Sequence, residues 1–365
     1  MKIFYDGIIF QQQKYGGISR IFIEIMKRMS NIDSSLVLYC HRFPDSFKKN
    51  RLLKREYFMI PKVGGILRRM DALSLPKIVK RFNPDIYHTT YYRIPRDLRA
   101  KKVVTVYDMI HEKFPIYFGN AERFLKRKKD SIENADKVIT ISESTKNDIL
   151  QYYRVAAHKV CVTYPAASSF FKEASEAEKK NLKQKYMLSK PFVLYVGQRN
   201  GYKNFITLLR AYSVWKRNKE FDLICIDGDK RWNKDESEIV DNSGLNSSVR
   251  LFVNVSDQDL RVFYSLAMVF VYPSLYEGFG IPILESMACG TSVIVANVAS
   301  MPEVVGDTGL YFDPHSKEEL LGALDKIVGD STLRKELISK GLNRIKSFSW
   351  EKTALETYNV YKELL

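Results

Sequence analysis

No apolar run in the 365-residue sequence reaches the ~18 to 20 residues that a membrane span requires, so no transmembrane helix is expected. The opening stretch MKIFYDGIIF carries one lysine and turns polar at once, which reads as a first strand rather than a signal peptide. Cysteine is scarce. Cys40, Cys161, Cys225 and Cys289 are far apart, form no CxxC pair and sit in apolar or helical stretches, as free buried thiols in a reducing cytosol do. His41, His88, His111, His158 and His315 show no HxxxH or HExxH spacing, so no metal site is expected. The absence of GxGxxG counts against a dinucleotide dehydrogenase. Solenoid-length repeats and low-complexity tracts are also missing.

What is present is an ordinary globular composition, 45% hydrophobic and 27% charged, on a chain long enough for two α/β domains. The net charge of +16 is unevenly spread. Residues 1–165 hold 32 of the 58 basic and 16 of the 42 acidic residues, leaving 26 of each in the remainder. The surplus clusters in KKNRLLKRE (48–56), ILRRM (66–70) and FLKRKKD (124–130). Solvated helix faces would explain any one cluster. A half that carries the entire +16 surplus beside a neutral half points to an anionic partner, an anionic membrane surface or lipid-diphosphate acceptor before nucleic acid. No helix-turn-helix, RNP-type or zinc-finger pattern accompanies the charge, so no nucleic acid is expected. The expected location is cytoplasmic, peripheral at the inner face of the membrane.

Short β-branched and aromatic runs alternate with helical stretches. Strands are expected at 2–5, 36–40, 85–90, 102–108, 137–142 and 159–164, then at 192–197, 221–227, 249–254, 268–273 and 291–297. Ile18, Ile21, Phe22, Ile25, Met26 and Met29 recur at helical spacing. Hydroxyls at Ser142 to Thr145 suit a helix start, and Ser256 with Asp259 reads as a capping box. The polar segment 171–190 looks like an interdomain connection. Two successive doubly wound parallel sheets, Rossmann-like, are the economical fold, with ligand at the strand ends facing a cleft. The expected division is 1–168 with 347–365 as an acceptor-binding domain, 169–190 as the connection, and 191–346 as a donor-binding domain.

Several local patterns suit a phosphate-bearing ligand. Gly16-Gly17 lies between the first strand and first helix, where backbone N–H groups can approach a phosphate, although such a turn needs no ligand. Arg199 and Lys203 in FVLYVGQRNGYKNF follow a strand on a Gly-bearing loop and match a diphosphate; alone they also read as solvated surface cations. In YPSLYEGFGIPILESMACG, Glu277 and Glu285 stand eight residues apart across a glycine loop that opens a helix at Pro282. Glu285 can accept the two hydroxyls of a ribose, and the N–H groups of Phe279, Gly280 and Ile281 can hold a phosphate or sugar. Taken singly, the two glutamates also fit a cap and a surface charge. Asp227-Gly-Asp229 mimics a metal-binding DxD but reads here as a turn.

Together these segments resemble glycosyltransferase family 4, of the GT-B fold, in its bacterial polysaccharide and lipopolysaccharide hexosyltransferase branch. The resemblance spans nearly the whole chain. It takes in the Gly-Gly loop, VVTVYDMIHEKFP (103–115), ITISESTKNDI (139–149), the R-x3-K loop, the E-x7-E stretch and SMPEVVGDTGLYFDP (300–314). It implies that Arg199 and Lys203 bind the donor diphosphate, Glu285 the ribose and Glu277 the transferred sugar. Asn254 and Val255 would contact the base, with Gly16, Gly17, Gly278, Phe279, Gly280 and Ile281 completing the donor set. It also implies retention of anomeric configuration without metal or cofactor, and a last helix, FSWEKTALETYNVYKELL, crossing back to the first domain. One departure stands out: the place of the family's usual His is Tyr107, followed by Asp108, with His111 three residues on. Asp108 and His111 are both candidates for its role, and core or loop-capping roles for either remain open. The expected reaction is retaining transfer of a hexose, glucose or mannose, from a UDP- or GDP-sugar to a saccharide or lipid-linked saccharide. A nucleotide-sugar epimerase and a catalytically silent nucleotide-binding relative are the alternatives.

Overall fold

The computed structural model describes residues 1–13, 16–34, 36–40, 53–54, 75–95, 98–199, 201–229 and 231–365. The chain forms two compact units, Met1–Pro165 with Trp350–Leu365, and Ala166–Ser349.

In the first unit, strands β1 (Lys2–Tyr5), β2 (Val37–Cys40), β3 (Leu53–Lys54), β4 (Ile86–Thr89), β5 (Lys101–Val106), β6 (Lys137–Thr140) and β7 (Val160–Val162) form one sheet in the order β3-β2-β1-β4-β5-β6-β7. Every neighbouring pair is parallel. The second unit holds β8 (Phe192–Val196), β9 (Asp222–Asp227), β10 (Val249–Val253), β11 (Val269–Tyr272), β12 (Val293–Ala296) and β13 (Leu310–Phe312) in the order β10-β9-β8-β11-β12-β13. These pairs are also parallel. The apolar runs become strands because both faces are covered: β4, β11 and β12 are buried along their whole length. The strand order reverses at β1/β4 and at β8/β11, the places where doubly wound sheets receive ligands. All eleven expected strands form. The two additional ones are short edge strands with little apolar periodicity, three residues in β13 and two in β3.

The expected first helix spans Gly17–Ile32, with Ile21, Phe22, Ile25, Met26 and Met29 buried. The last helix, Trp350–Lys362, packs against it. Tyr361 there reaches a buried polar chain: its hydroxyl lies 3.0 Å from Tyr5 Oη and 2.6 Å from His88 Nδ1, while His88 Nε2 meets Thr105 Oγ1 at 2.8 Å. Ser142 caps helix Glu143–Tyr152 by accepting from the Thr145 N–H. Ser256 likewise accepts from the Asp259 N–H. The expected carboxylate half of that capping box is redirected, because Asp259 Oδ2 accepts from Lys185 Nζ at 2.7 Å and Tyr186 Oη at 3.0 Å. Segment 171–190 contains helix Glu176–Lys185, opened by a full Ser175/Glu178 capping box and packed on helix Asp257–Leu266. Arg261 of the latter helix pairs with Glu178.

The basic runs 48–56 and 66–70 lie outside the described residues, apart from the backbone of β3. The run 124–130 falls in helix Glu122–Glu133 and is not wholly a solvated face. Lys128 is buried, 2.9 Å from Glu112, and donates to the Asp108 carbonyl at 2.6 Å. Tyr153 closes the network by donating to the same glutamate. A helix face turned inward at one position in four needs a satisfied charge there, and this pair supplies it.

Lys128→Ala should destabilise the first unit by about 3–5 kcal/mol, because Glu112 is left buried and unpaired; thermal melting that matches the parent would contradict this. His88 supplies a pH test. Burial holds its folded pKa at about 3, against an ordinary value of 6.5. The unfolded chain therefore takes up the proton first, and stability present above about pH 6.5 falls by about 1.4 kcal/mol per pH unit on descent toward 3. Melting of His88→Gln should lack that increment of acid sensitivity.

Candidate functional site

In the second unit the chemistry gathers at the ends of β8, β9 and β11. Beyond β8 the chain makes a 3₁₀ turn at Gly201–Lys203 and enters helix Phe205–Val214 through Asn204, which is left-handed at φ 54°. The buried Asn204 amide donates to the Pro273 carbonyl at 3.0 Å and the Pro314 carbonyl at 2.9 Å. The Leu275 N–H donates to the Tyr202 carbonyl at 2.7 Å. These bonds fix Lys203 beside the loop after β11. Lys203 Nζ lies 2.7 Å from Glu277 Oε1, and the Ser274 hydroxyl donates to the same oxygen at 2.6 Å. Lys203 also sits over the rings of Tyr202 and Tyr272, at 5.2 and 5.7 Å. Burial, with the Glu277 charge beside it, pushes the Tyr272 hydroxyl well above its ordinary pKa, so it is a neutral donor there.

The glycine loop after Glu277 is equally constrained. Ser300 Oγ donates to the Glu277 and Phe279 carbonyls, each at 2.9 Å. Gly280 has φ 107°, and a Cβ there would meet Ile283 Cδ1 at 2.9 Å, so no other residue fits without strain. Gly280 opens helix Ile281–Ala288, with Glu285 buried about one turn in. Gly278 and Phe279 are buried in the same loop, and Ile281 is half-buried. Lys203, Glu277 and the glycine loop are thus brought together. Asn254, left-handed at φ 54°, and Val255 follow β10.

Arg199 faces a different set. Its Nε lies 3.2 Å from Asp227 Oδ2 and its Nη2 3.8 Å from Glu236 Oε2, while Nη2 donates to the Arg231 carbonyl at 2.6 Å. The guanidinium stacks on Trp232 at 4.6 Å. Its Nη1 is buried and has no hydrogen-bond partner among the described residues. Burial raises the Glu236 carboxyl above its ordinary pKa, opposed by a backbone N–H from Asn233 and by Arg199. These residues line an open cavity of about 830 Å³. Asp227-Gly-Asp229 does form a turn, with the Gly228 N–H on Asp227 and the Arg231 N–H on Asp229 Oδ1 at 3.2 Å. Asp227 is more than a turn residue, however, because it also holds Arg199. Among the described residues no group of three or more His, Cys, Asp or Glu is arranged to hold a metal ion.

In the first unit, Gly16 and Gly17 are exposed at the start of helix Gly17–Ile32. Tyr107, at the place of the family's usual His, is buried and donates to the Thr90 carbonyl at 2.8 Å, a core role. Asp108 Oδ1 accepts from the Ile110 N–H at 3.1 Å, a loop cap. The His111 ring lies between Phe118 and Phe124, centroids 4.1 and 4.4 Å away, with Nδ1 buried and without a hydrogen-bond partner among the described residues. Burial lowers its pKa; Asp108 opposes that and Lys128 adds to it. Sequence reasoning passed over Asp6, at the end of β1. This buried carboxylate accepts from the Thr90 N–H at 2.9 Å, Thr89 Oγ1 at 2.7 Å, Thr90 Oγ1 at 2.5 Å and the Ile8 N–H at 3.1 Å. Asn204, Ser274, Ser300, Trp232 and Glu236 were also missed; the first three lie inside the motif stretches that the sequence singles out, whereas Trp232 and Glu236 lie outside them.

The geometry can be set beside known proteins. A family profile described as Glycosyltransferase Family 4 matches residues 15–168, and one described as Glycosyl transferases group 1 matches 176–344. The O-antigen chain mannosyltransferase B of Escherichia coli is 33% identical over 372 residues, covering 95% of this chain and 96% of that protein. The O-antigen chain mannosyltransferase RfbU of Salmonella typhimurium is 29% identical over 70% of this chain and 68% of its own length. Among solved structures, Anabaena HepE in complex with UDP-glucose superposes with a TM-score of 0.77 at 17% identity, covering 100% of both chains. WaaG, a glycosyltransferase of lipopolysaccharide biosynthesis, superposes at 0.73 and 16% identity over 99% of each chain. At those identities the solved structures speak to the fold, and the mannosyltransferase B match, with the two profiles, speaks to the family. The chain belongs to glycosyltransferase family 4 and has the GT-B fold.

Proposed function

We propose that this glycosyltransferase moves a hexose from a nucleotide-diphosphate sugar to a saccharide or lipid-linked saccharide in surface-polysaccharide synthesis, with retention of anomeric configuration. The observation that carries the reading is the Lys203–Glu277 pair at 2.7 Å, with Glu285 on the helix after the same glycine loop. Mannose is the favoured sugar, since two relatives are named as O-antigen mannosyltransferases, and the donor would be a GDP- or UDP-sugar. HepE, crystallised with UDP-glucose, leaves glucose as the other candidate.

In this reading the second unit binds the donor and the first unit the acceptor. Glu285 takes the ribose, Asn254 and Val255 lie near the base, and Glu277 meets the sugar. Lys203 and Arg199 face the diphosphate; the buried, unpartnered Nη1 of Arg199 supplies a donor waiting for an acceptor oxygen. The loop of Gly278, Phe279, Gly280 and Ile281 contributes backbone N–H groups, and Gly16 and Gly17 do so from the first unit. The bond from the anomeric carbon to the β-phosphate oxygen breaks, and its electron pair stays on the phosphate. The acceptor hydroxyl oxygen bonds to the same face of that carbon, and its proton passes to the departing phosphate oxygen. Negative charge grows on the phosphate as this happens, so Lys203 and Arg199 stabilise the transition state more than the bound donor. Asp108 and His111 are the first-unit candidates beside the sugar.

No helix among the described residues is long and apolar enough to cross a membrane. The basic surplus of the first half fits peripheral attachment to an anionic membrane surface on the cytoplasmic side.

Lys203→Ala and Arg199→Ala should each lower kcat/KM by about 30-fold or more, as loss of a charge-assisted contact worth about 2 kcal/mol. Steady-state turnover within twofold of the parent would reject the assignment for that residue. Saturating EDTA should leave transfer intact; abolition of activity, with rescue by Mn²⁺, would show that the carboxylates hold a metal after all.

A further inference from the structure

Behind Asp108 and His111 in the first unit lies a buried charge cluster to which glycosyl transfer, as described so far, gives no task. The chain leaves β5 at Val106 and forms the single-turn helix Ile110–Lys113, which carries His111, with Asp108 shortly before it. One turn of helix does not hold itself in water, so this one must be held from outside. Lys128, from helix Glu122–Glu133, does so twice. Its Nζ donates to the Asp108 carbonyl at 2.6 Å and lies 2.9 Å from both carboxylate oxygens of Glu112. Helix Glu143–Tyr152 and its C-cap add two more ties, Lys113 to Asp148 at 2.6 Å and the Tyr153 hydroxyl to Glu112.

The side chains of Lys128 and Glu112 are 1% and 6% exposed, so both charges are taken out of water. A buried pair of this kind is weak evidence for stability, because apolar residues of similar volume in its place are often as stable. What an apolar pair lacks is direction, since it cannot draw one carbonyl to one ammonium. The carbonyl drawn here belongs to Asp108, and the effect reaches His111. Phe124, four residues before Lys128 on the same helix, packs on the His111 ring, and Phe118 packs on it too. One helix therefore supplies both an aromatic wall for the imidazole and the ammonium that fixes the backbone carrying it. Neither nitrogen of His111 bonds to the described residues, and only Nδ1 is buried, so Nε2 is the open one. Asp108 Oδ1 accepts from the Ile110 N–H, whereas its Oδ2 has no partner among the described residues. The ties to Lys128, Tyr153 and Asp148 thus fasten the turn and leave Asp108 Oδ2 and His111 Nε2 for a ligand. Both follow the C-terminal end of β5, the end of a doubly wound sheet at which ligands bind.

We propose that Lys128 is a positioning residue for transfer: through the Asp108 carbonyl and Glu112 it fixes the turn that presents Asp108 Oδ2 and His111 Nε2 to the sugar. The role in transfer rests on the glycosyl-transfer reading; the hold of Lys128 on the turn does not. A group displaced by about an ångström loses much of its effect on a reaction, so a side chain that never touches substrate still governs turnover.

The test uses the full chain with Lys128→Met/Glu112→Leu, which removes both charges together and leaves neither buried and unpaired. Its circular dichroism should match the parent. Two readouts are then compared. The first is the NMR signal of the His111 Cε1–H, identified by its absence in His111→Gln; in the parent the ring currents of Phe118 and Phe124 displace it. In the double variant it should move toward the position of an exposed histidine. The second is turnover of GDP-mannose and of UDP-glucose with octyl α-mannoside as the acceptor probe. For the donor that is used, kcat should fall by about tenfold or more while its KM stays within about twofold, since the donor is held by the other unit. A folded double variant whose His111 signal stays at the parent position overturns the proposal. A moved signal with unchanged kcat overturns it too, as does a fall in kcat matched by an equal rise in donor KM. If the double variant does not fold, Tyr153→Phe removes one tie to Glu112 and leaves the Lys128–Glu112 pair in place. It should move the same signal and lower kcat by about threefold, and no change in either overturns the proposal. If the parent turns over neither donor, the glycosyl-transfer reading is struck, and the His111 signal alone decides whether Lys128 holds the turn.

Discussion

The side-chain amide of Asn204 holds the ends of three strands in the second unit. It sits just beyond β8 and donates to carbonyls just beyond β11 and β13. Parallel strands have no tight hairpins to hold their C-terminal ends together, so loops that must present charge there need cross-links of this kind. Lys203 precedes Asn204, and Glu277 is four residues beyond Pro273, so the distance between the two charges follows from where this amide is fixed. Ser300 performs the same service for the glycine loop, accepting no compromise in position because both its carbonyl partners are local to Glu277 and Phe279.

The first unit solves the equivalent problem with a charge instead of an amide. Asp6 binds the end of β1 to the end of β4 through the two threonines, and burial raises its pKa while four hydrogen bonds oppose that rise. Buried polar groups cost stability unless satisfied, and here each is satisfied across a strand boundary. Both units therefore keep their polar side chains at the strand order reversal, where a ligand would otherwise have to organise the loops itself.

Much of the fold was legible because parallel, doubly covered strands read as continuous apolar runs. β4, β11 and β12 announce themselves in IYHT, VFVY and VIVA. β13 did not, since its three residues sit at a sheet edge and are only partly buried. Charge was the least legible property. Lys128 looks like its neighbours Lys126 and Lys129 in sequence, yet only Lys128 points at Glu112, a residue from a different element. Asp227 looked like half of a turn, and its grip on Arg199 depends on β9 lying next to β8, which no local pattern encodes. Asp259 kept its backbone role at a helix start but spent its carboxylate on Lys185, seventy-four residues away in sequence.

The closing helix, Trp350–Lys362, has a consequence for how this chain is made. It packs against helix Gly17–Ile32 and delivers Tyr361 to His88 and Tyr5, so the first unit contains residues from both sides of the whole second unit. As the ribosome emits the chain, the second unit has all of its residues available before the first has its last. The domain synthesised first is therefore completed last, with the face of helix Gly17–Ile32 and the His88 imidazole waiting for a partner while Ala166–Ser349 emerges and folds. Long sequence separation makes that final docking a late step, and it leaves the nascent first unit with an apolar helix face to shield in the meantime.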